Sequence, residues 1–202
     1  MTIRVLLAED QAMVRGALSA LLDLEDDIEV VAEASRGDEV VPAALASSPD
    51  VALLDIEMPG GDGLGAAAAL AECLPACRVI ILTTFGRAGY LRRAMESGAV
   101  GFLLKDAPSS ELATAVRRVV GGERVVDPVL AAAALSEGDN PLTRREREVL
   151  AASANGATNE DLAAELYLSE GTIRNYLSTA IKKLGTRNRV EAARLAERKG
   201  WL

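Results

Sequence analysis

Histidine is missing from this chain altogether. That absence excludes a Ser-His-Asp triad, a Cys-His pair and any His-ligated zinc site. Cysteine is nearly as scarce. Cys73 and Cys77 flank Pro75 in a C-x3-C spacing with no second pair to complete a zinc site, so they read as reduced, semi-buried small hydrophobes. Aromatic residues make up only 3% of the chain, which leaves the packing to Val, Ile, Leu and Ala. No apolar run is long enough for a membrane span, and Ile3 to Ala8 meets Glu9-Asp10 at once, so no leader segment is expected. A soluble, cytoplasmic protein is expected.

The chain has 202 residues and a net charge of −8, enough length for one large domain or two small ones. The charge is unevenly spread. Residues 1 to 130 hold 11 Lys/Arg against 20 Asp/Glu, whereas residues 141 to 202 hold 11 against 8. A basic end on an acidic protein points to contact with nucleic acid.

One stretch organises the first half. Val51-Ala52-Leu53-Leu54 is a short apolar run that ends on Asp55, and a Pro/Gly-rich turn, Met58-Pro59-Gly60-Gly61-Asp62-Gly63, follows. This reads as a buried strand delivering Asp55 at its carboxyl end, where it can serve as metal ligand, nucleophile or strand cap. Around it the same unit repeats. Strands are expected at Ile3–Ala8, Ile28–Ala32, Val79–Leu82 and Gly101–Leu104. Helices are expected at Ala12–Leu24, Gly37–Ser47, Leu64–Glu72 and Gly89–Glu96, with a last one capped by Ser109 or Ser110, running through Val120 and stopped by Gly121-Gly122. Five β-α repeats predict an α/β domain with a five-stranded, doubly wound parallel sheet.

Ligands of such sheets lie at the carboxyl ends of the strands. Those ends carry Glu9 and Asp10, Asp55, Thr83 and Lys105. Three carboxylates gathered at one point repel one another unless a cation sits among them, and an oxygen-only donor set favours Mg²⁺. A hydroxyl and an ammonium beside that cation suit a transferring phosphoryl group, with Asp55 available as nucleophile. An aspartate-nucleophile phosphatase needs a second Asp two residues after the first, where this chain has Glu57.

The order Glu9-Asp10, Asp55 with Met58-Pro59-Gly60-Gly61-Asp62-Gly63, Thr83 and Lys105 resembles the receiver domain of two-component response regulators over residues 1–122. The resemblance implies a flavodoxin-like sheet of order 2-1-3-4-5 and phosphorylation of Asp55 by a sensor histidine kinase. It also implies Mg²⁺ held by Asp10, Asp55 and the Glu57 backbone carbonyl, with Glu9 helping through water. Thr83 and Lys105 would bind phosphoryl oxygens, and Phe102 would be an aromatic switch that turns inward when Thr83 moves. Asp106 departs from the proline many receivers have there, in a form familiar from the NarL/FixJ subgroup.

Residues 123–140 are expected to be a linker. Asp127-Pro128 suggests an N-cap and first turn for a short helix over Val129–Leu135, and Ser136-Glu137-Gly138-Asp139-Asn140-Pro141 suggests a hinge. Residues 141–202 then carry an all-α pattern of four helices. Thr143 caps a helix through Ala154 that Asn155-Gly156 closes, Asn159–Leu166 is a short second one, and Ser169 starts a longer third. The third has an apolar stripe of Ile173, Leu177, Ala180, Ile181 and Leu184 opposite a polar and basic face. Short helix, turn, long helix is the helix-turn-helix pattern, whose second helix enters the major groove.

Leu142-Thr143-Arg144-Arg145-Glu146, Thr158-Asn159-Glu160-Asp161-Leu162-Ala163, Leu168-Ser169-Glu170-Gly171-Thr172-Ile173-Arg174-Asn175-Tyr176 and Lys182-Lys183-Leu184 resemble a LuxR-type DNA-binding domain. The Ile173-Arg174-Asn175-Tyr176 form is similar to regulators of membrane-lipid desaturase genes. The resemblance implies base contacts by Arg174, Asn175 and Ser178, and phosphate contacts by Thr172, Lys182 and Lys183. A final helix over Val190–Arg198 would carry the dimer contact on an operator of two half-sites. The expected protein is a phosphorylation-activated, dimerising transcriptional regulator, the alternative being a phosphate sink or protein-binding regulator that does not bind DNA.

Overall fold

The computed structural model describes residues 2–84, 86, 88–136 and 140–202. Glu137, Gly138 and Asp139 of the expected hinge lie outside the described residues. The chain divides into two compact units, residues 1–86 with 91–131 and residues 87–90 with 132–202.

The first unit is built of β1 (Ile3–Ala8), α1 (Ala12–Leu22), β2 (Ile28–Ala34), α2 (Gly37–Ser47), β3 (Val51–Leu54), α3 (Gly63–Cys73), β4 (Arg78–Thr83), α4 (Ala88–Glu96), β5 (Gly101–Leu104), α5 (Ser109–Val120) and β6 (Val125–Val126). All pairings are parallel, in the order β2-β1-β3-β4-β5-β6. A strand covered on both faces needs apolar residues at every position, and β3 is fully buried along its length. Successive side chains alternate between faces. Val5, Leu7, Leu53 and Ile80 therefore share a layer, packed with Leu22 of α1 and Ala115, Val116 and Val119 of α5. Burying each such side chain contributes roughly 1.5–3 kcal/mol.

The sheet has six strands, where the β-α repeat predicts five. Val125 and Val126 pair with Gly101 and Phe102, so the stretch expected to be linker adds an edge strand to the sheet. Two residues are too few to show a period, but the pairing satisfies backbone groups of β5 that an open edge would leave to solvent. The Ser109/Ser110 cap is also corrected. Pro108 occupies the N-cap position of α5 and makes no side-chain cap, since proline has no side-chain acceptor to offer. The two cysteines differ from each other: Cys73 is exposed and Cys77 buried, and burial pushes the Cys77 thiol up to about 12.

A short helix, α6 (Pro128–Ser136), follows β6, with the Asp127 carboxylate accepting from the backbone amides of Val129 and Leu130. The second unit contains α7 (Arg144–Ala152), a 3₁₀ turn (Ser153–Asn155), α8 (Asn159–Glu165), α9 (Glu170–Leu184) and α10 (Arg189–Arg198). Four side chains cap its helices: Thr143, Thr158, Ser169 and Asn188 each accept a backbone N–H of the first turn. Each cap contributes about 1 kcal/mol. Val149 and Leu150 of α7, Leu162 of α8, Ile173, Leu177 and Ala180 of α9, and Ala192, Ala193 and Ala196 of α10 form the core. No helix among the described residues is long and apolar enough to cross a membrane.

Candidate functional site

Parallel pairing in register brings the carboxyl ends of β1, β3, β4 and β5 to one edge. Ala8 pairs with Leu54, Leu54 with Ile81, and Thr83 with Leu104. The residues just beyond the strands continue the ladder: Asp55 N–H donates to the Ala8 carbonyl and Lys105 N–H to the Thr83 carbonyl. Glu9, Asp55, Thr83 and Lys105 therefore converge because the strands that carry them are locked together.

Glu9, Asp55 and Thr83 are 1%, 6% and 1% exposed, while Asp10 is exposed. One carboxylate oxygen from each of Glu9, Asp10 and Asp55 lies within 4.8 Å of the others. Asp55 uses Oδ1 to accept from the Ile56 backbone N–H at 2.8 Å, and its Oδ2 faces Lys105 Nζ at 2.9 Å. Lys105 Nζ is also 2.5 Å from Glu9 Oε2, so the one ammonium serves both carboxylates. Apart from Lys105, no donor among the described residues reaches that buried oxygen. Burial pushes the Glu9 carboxyl above the usual carboxylate range, only partly offset by the Lys105 ammonium. Burial works against the Lys105 charge too, but the two carboxylates outweigh it and hold the ammonium above its usual range.

This donor set fits a hard divalent cation. It is all oxygen, it concentrates negative charge, and it contains a buried acceptor short of donors, which a metal ion would satisfy. Glu57 follows Asp55 by two residues, in the turn before α3, with its side chain exposed. The turn is held close to Asp55 by Gly63, whose N–H donates to the Ile56 carbonyl. A Cβ on Gly63 would stand 1.9 Å from the Asp55 carbonyl oxygen, so no other residue fits there.

Sequence reasoning missed one supporting residue. Arg15 of α1 donates from Nη1 to the Glu9 carbonyl at 2.6 Å and pairs through Nε with Glu33 at 3.1 Å. It ties the Glu9-Asp10 turn to α1 and β2, and nothing in local patterning signals it. Phe102 is buried, on β5 beside Ile81.

In the second unit, α9 buries Ile173, Leu177 and Ala180 and exposes Arg174, Asn175, Ser178, Lys182 and Lys183. Arg174 and Ser178 line a groove with Thr158 and Asn159 and with Arg187, Asn188 and Arg189 at the start of α10. Arg187 and Arg189 are cations that the sequence reading did not include. Two expected phosphate contacts meet other partners. Thr172 Oγ1 is 2.8 Å from the Ser169 hydroxyl, and Lys183 Nζ donates to Oε2 of Glu146 at 2.7 Å. Glu146 is buried and also accepts from the Thr143 N–H at 2.6 Å, closing a capping box on α7. Lys183 thus couples the last turn of α9 to the first turn of α7.

The family described as response regulator receiver domain matches residues 5–117, and that described as bacterial regulatory proteins, luxR family, matches residues 140–196. The transcriptional regulatory protein YvfU of Bacillus subtilis is 50% identical over 200 residues, covering 99% of this chain and 100% of YvfU. The transcriptional regulatory protein DesR of the same organism is 48% identical over 199 residues, 98% of each chain. The crystal structure of ChrA, a response regulator in a heme-sensing two-component system, is 39% identical with a TM-score of 0.59, covering 100% of this chain and 99% of ChrA. With a receiver edge in one unit, a helix-turn-helix in the other, and both families matched in that order, the chain belongs to the response regulators with a LuxR-type output domain, of the NarL/FixJ kind: it is a phosphorylation-activated, DNA-binding transcriptional regulator.

Proposed function

We propose that Asp55 is the phosphoryl acceptor and that Glu9, Asp10, Asp55 and the Glu57 backbone carbonyl hold Mg²⁺ beside it. The observation that carries this reading is the cluster of buried Glu9 and Asp55 with exposed Asp10, in which Lys105 bridges Glu9 and Asp55. When bound, Mg²⁺ neutralises charge on the carboxylates and on the incoming phosphoryl group. Asp55 Oδ2 attacks phosphorus as the bond from phosphorus to the imidazole nitrogen of the kinase breaks, and the freed imidazole takes up a proton. Lys105 shifts its ammonium from the carboxylates to a phosphoryl oxygen, and the Thr83 hydroxyl donates to another. Attack through a group already at the end of a rigid strand is mainly a matter of positioning.

Thr83 and Phe102 form the path out of the site. Phe102 is already buried, so phosphorylation acts by raising the population of an inward arrangement rather than by creating a new one. The phosphorylated receivers pair, and two output units bind an operator with two half-sites in the cytoplasm. In each, α9 enters the major groove, Arg174, Asn175 and Ser178 face base edges, and Thr172, Lys182 and Lys183 face phosphates. Lys182 is freer for that role than Lys183, which Glu146 holds.

The test is chemical. Incubated with phosphoramidate and Mg²⁺, the protein should acquire one alkali-labile and hydroxylamine-labile phosphoryl group, as an acyl phosphate is, and Asp55→Asn should acquire none. Equal labelling of Asp55→Asn would assign the acceptor elsewhere. On the output side, Arg174→Ala should relax base preference. Lys182→Ala should weaken binding to all sequences alike and flatten the salt dependence.

A further inference from the structure

We infer that Tyr167, in the turn between α8 and α9, is a DNA-backbone contact, its phenol hydroxyl donating to a phosphate oxygen. The inference rests on the proposed use of α9 as the recognition helix.

Two independent observations single this residue out. The first is backbone strain. Tyr167 has φ +55, and among the described residues only Ser48 is another non-glycine with positive φ. The bond from Leu168 N–H to the Ala163 carbonyl at 2.9 Å closes a Schellman-type turn at the end of α8, and Tyr167 fills the left-handed position of that turn. Glycine is the residue such positions favour, and the same unit uses it elsewhere: Gly156, Gly185 and Gly200 all have positive φ. A bulky aromatic in that conformation is strained, and strain of this kind gathers where a side chain is needed.

The second observation is exposure. Tyr167 is 95% exposed, the most exposed of the large apolar or aromatic side chains among the described residues, so the ring contributes almost nothing to the core for which the strain could be tolerated. It stands two residues before Ser169, the N-cap of α9. A helix-turn-helix that seats its second helix in the groove carries the preceding turn against the sugar-phosphate backbone. Glu165 and Glu170 on either side are exposed and acidic. The contact this turn can offer a phosphate is therefore a neutral hydroxyl on a long rigid arm, one of the groups that commonly bind DNA phosphates.

Strain and contact make opposite demands, and that gives the test. The full-length protein, with phosphoramidate and Mg²⁺, is titrated against a fluorescent duplex of random sequence at low salt, and the melting of each variant is followed. Tyr167→Gly should melt about 3 °C higher, because glycine relieves the turn, yet bind about three- to tenfold more weakly. Tyr167→Phe should melt like the wild type and show the same loss of affinity. Undiminished binding by Tyr167→Phe would overturn the inference, and so would a lower melting temperature for Tyr167→Gly, which would make the ring a folding residue. Lys182→Ala is the control. If it weakens binding and Tyr167→Phe does not, only this inference falls, whereas a wild-type protein that fails to bind the duplex removes the recognition-helix reading and this inference with it.

Discussion

Glu9 in the receiver unit and Glu146 in the output unit are both nearly inaccessible, and each has a lysine Nζ beside its Oε2, at 2.5 Å for Lys105 and 2.7 Å for Lys183. The surroundings of the two pairs differ. Glu146 is matched by donors: the Thr143 backbone N–H and Lys183 both reach its Oε2. Burial works against its charge, but Lys183 and Thr143 hold the carboxyl below the usual range. Glu9 shares its lysine with Asp55, has Asp10 close by, has no other donor on its Oε2 among the described residues, and is held above the usual range. A satisfied buried carboxylate fastens two helices together. A crowded one, with a single lysine shared among its neighbours, is a donor set that a cation would fit.

The largest expected difference between the two pairs is their response to Mg²⁺. At a hundredfold excess over the dissociation constant, Mg²⁺ should stabilise the receiver unit by about 2.7 kcal/mol, read as a rise in its melting temperature. Asp10→Asn should abolish that rise, and Glu146→Ala should leave it intact. A rise that survives Asp10→Asn would mean that the three carboxylates do not act as one site.

Next in size is the loss of Glu146 itself. Glu146→Ala removes the capping box and strands Lys183, and should destabilise the output unit by about 2 kcal/mol in chemical denaturation. Lys183→Ala should destabilise it by only about 1 kcal/mol, since Thr143 still donates to the carboxylate and the lysine is partly solvated. If Lys183→Ala leaves stability unchanged but weakens DNA binding, the lysine serves phosphates first and Glu146 second.

Acid should give the smallest and most selective effect. The Glu146 carboxyl titrates in the folded unit below its ordinary value of 4.5. Its contribution to stability is therefore present above about pH 4.5 and lost as the pH falls through the depressed folded value. Glu146→Gln should flatten that part of the stability profile of the output unit, measured by denaturation at successive pH values.

Much of the receiver edge was legible because its grammar is local. An apolar run ending on Asp55, or on Glu9, announces a covered strand and what stands at its end, and parallel order then gathers those ends. The features that escaped depend on distance or on single dihedral angles. Val125-Val126 is too short for any period to reveal β6. Arg15, near the start of α1, turns back to the Glu9 carbonyl, with no pattern to mark it. Lys183 looked like a solvated base on the outer face of α9, and only the fold of α7 against α9 brings Glu146 to it from 37 residues away. Tyr167 fell between two expected helices, and residue type alone does not disclose a left-handed turn.

Asp55 is the group whose modification should be felt at α9. The most direct measurement is DNA affinity of the full-length protein with Mg²⁺, with and without phosphoramidate, for the wild type and for Asp55→Asn. The wild type should bind more tightly once the phosphodonor is present, and Asp55→Asn should bind the same in both conditions. An equal gain by Asp55→Asn would contradict the account.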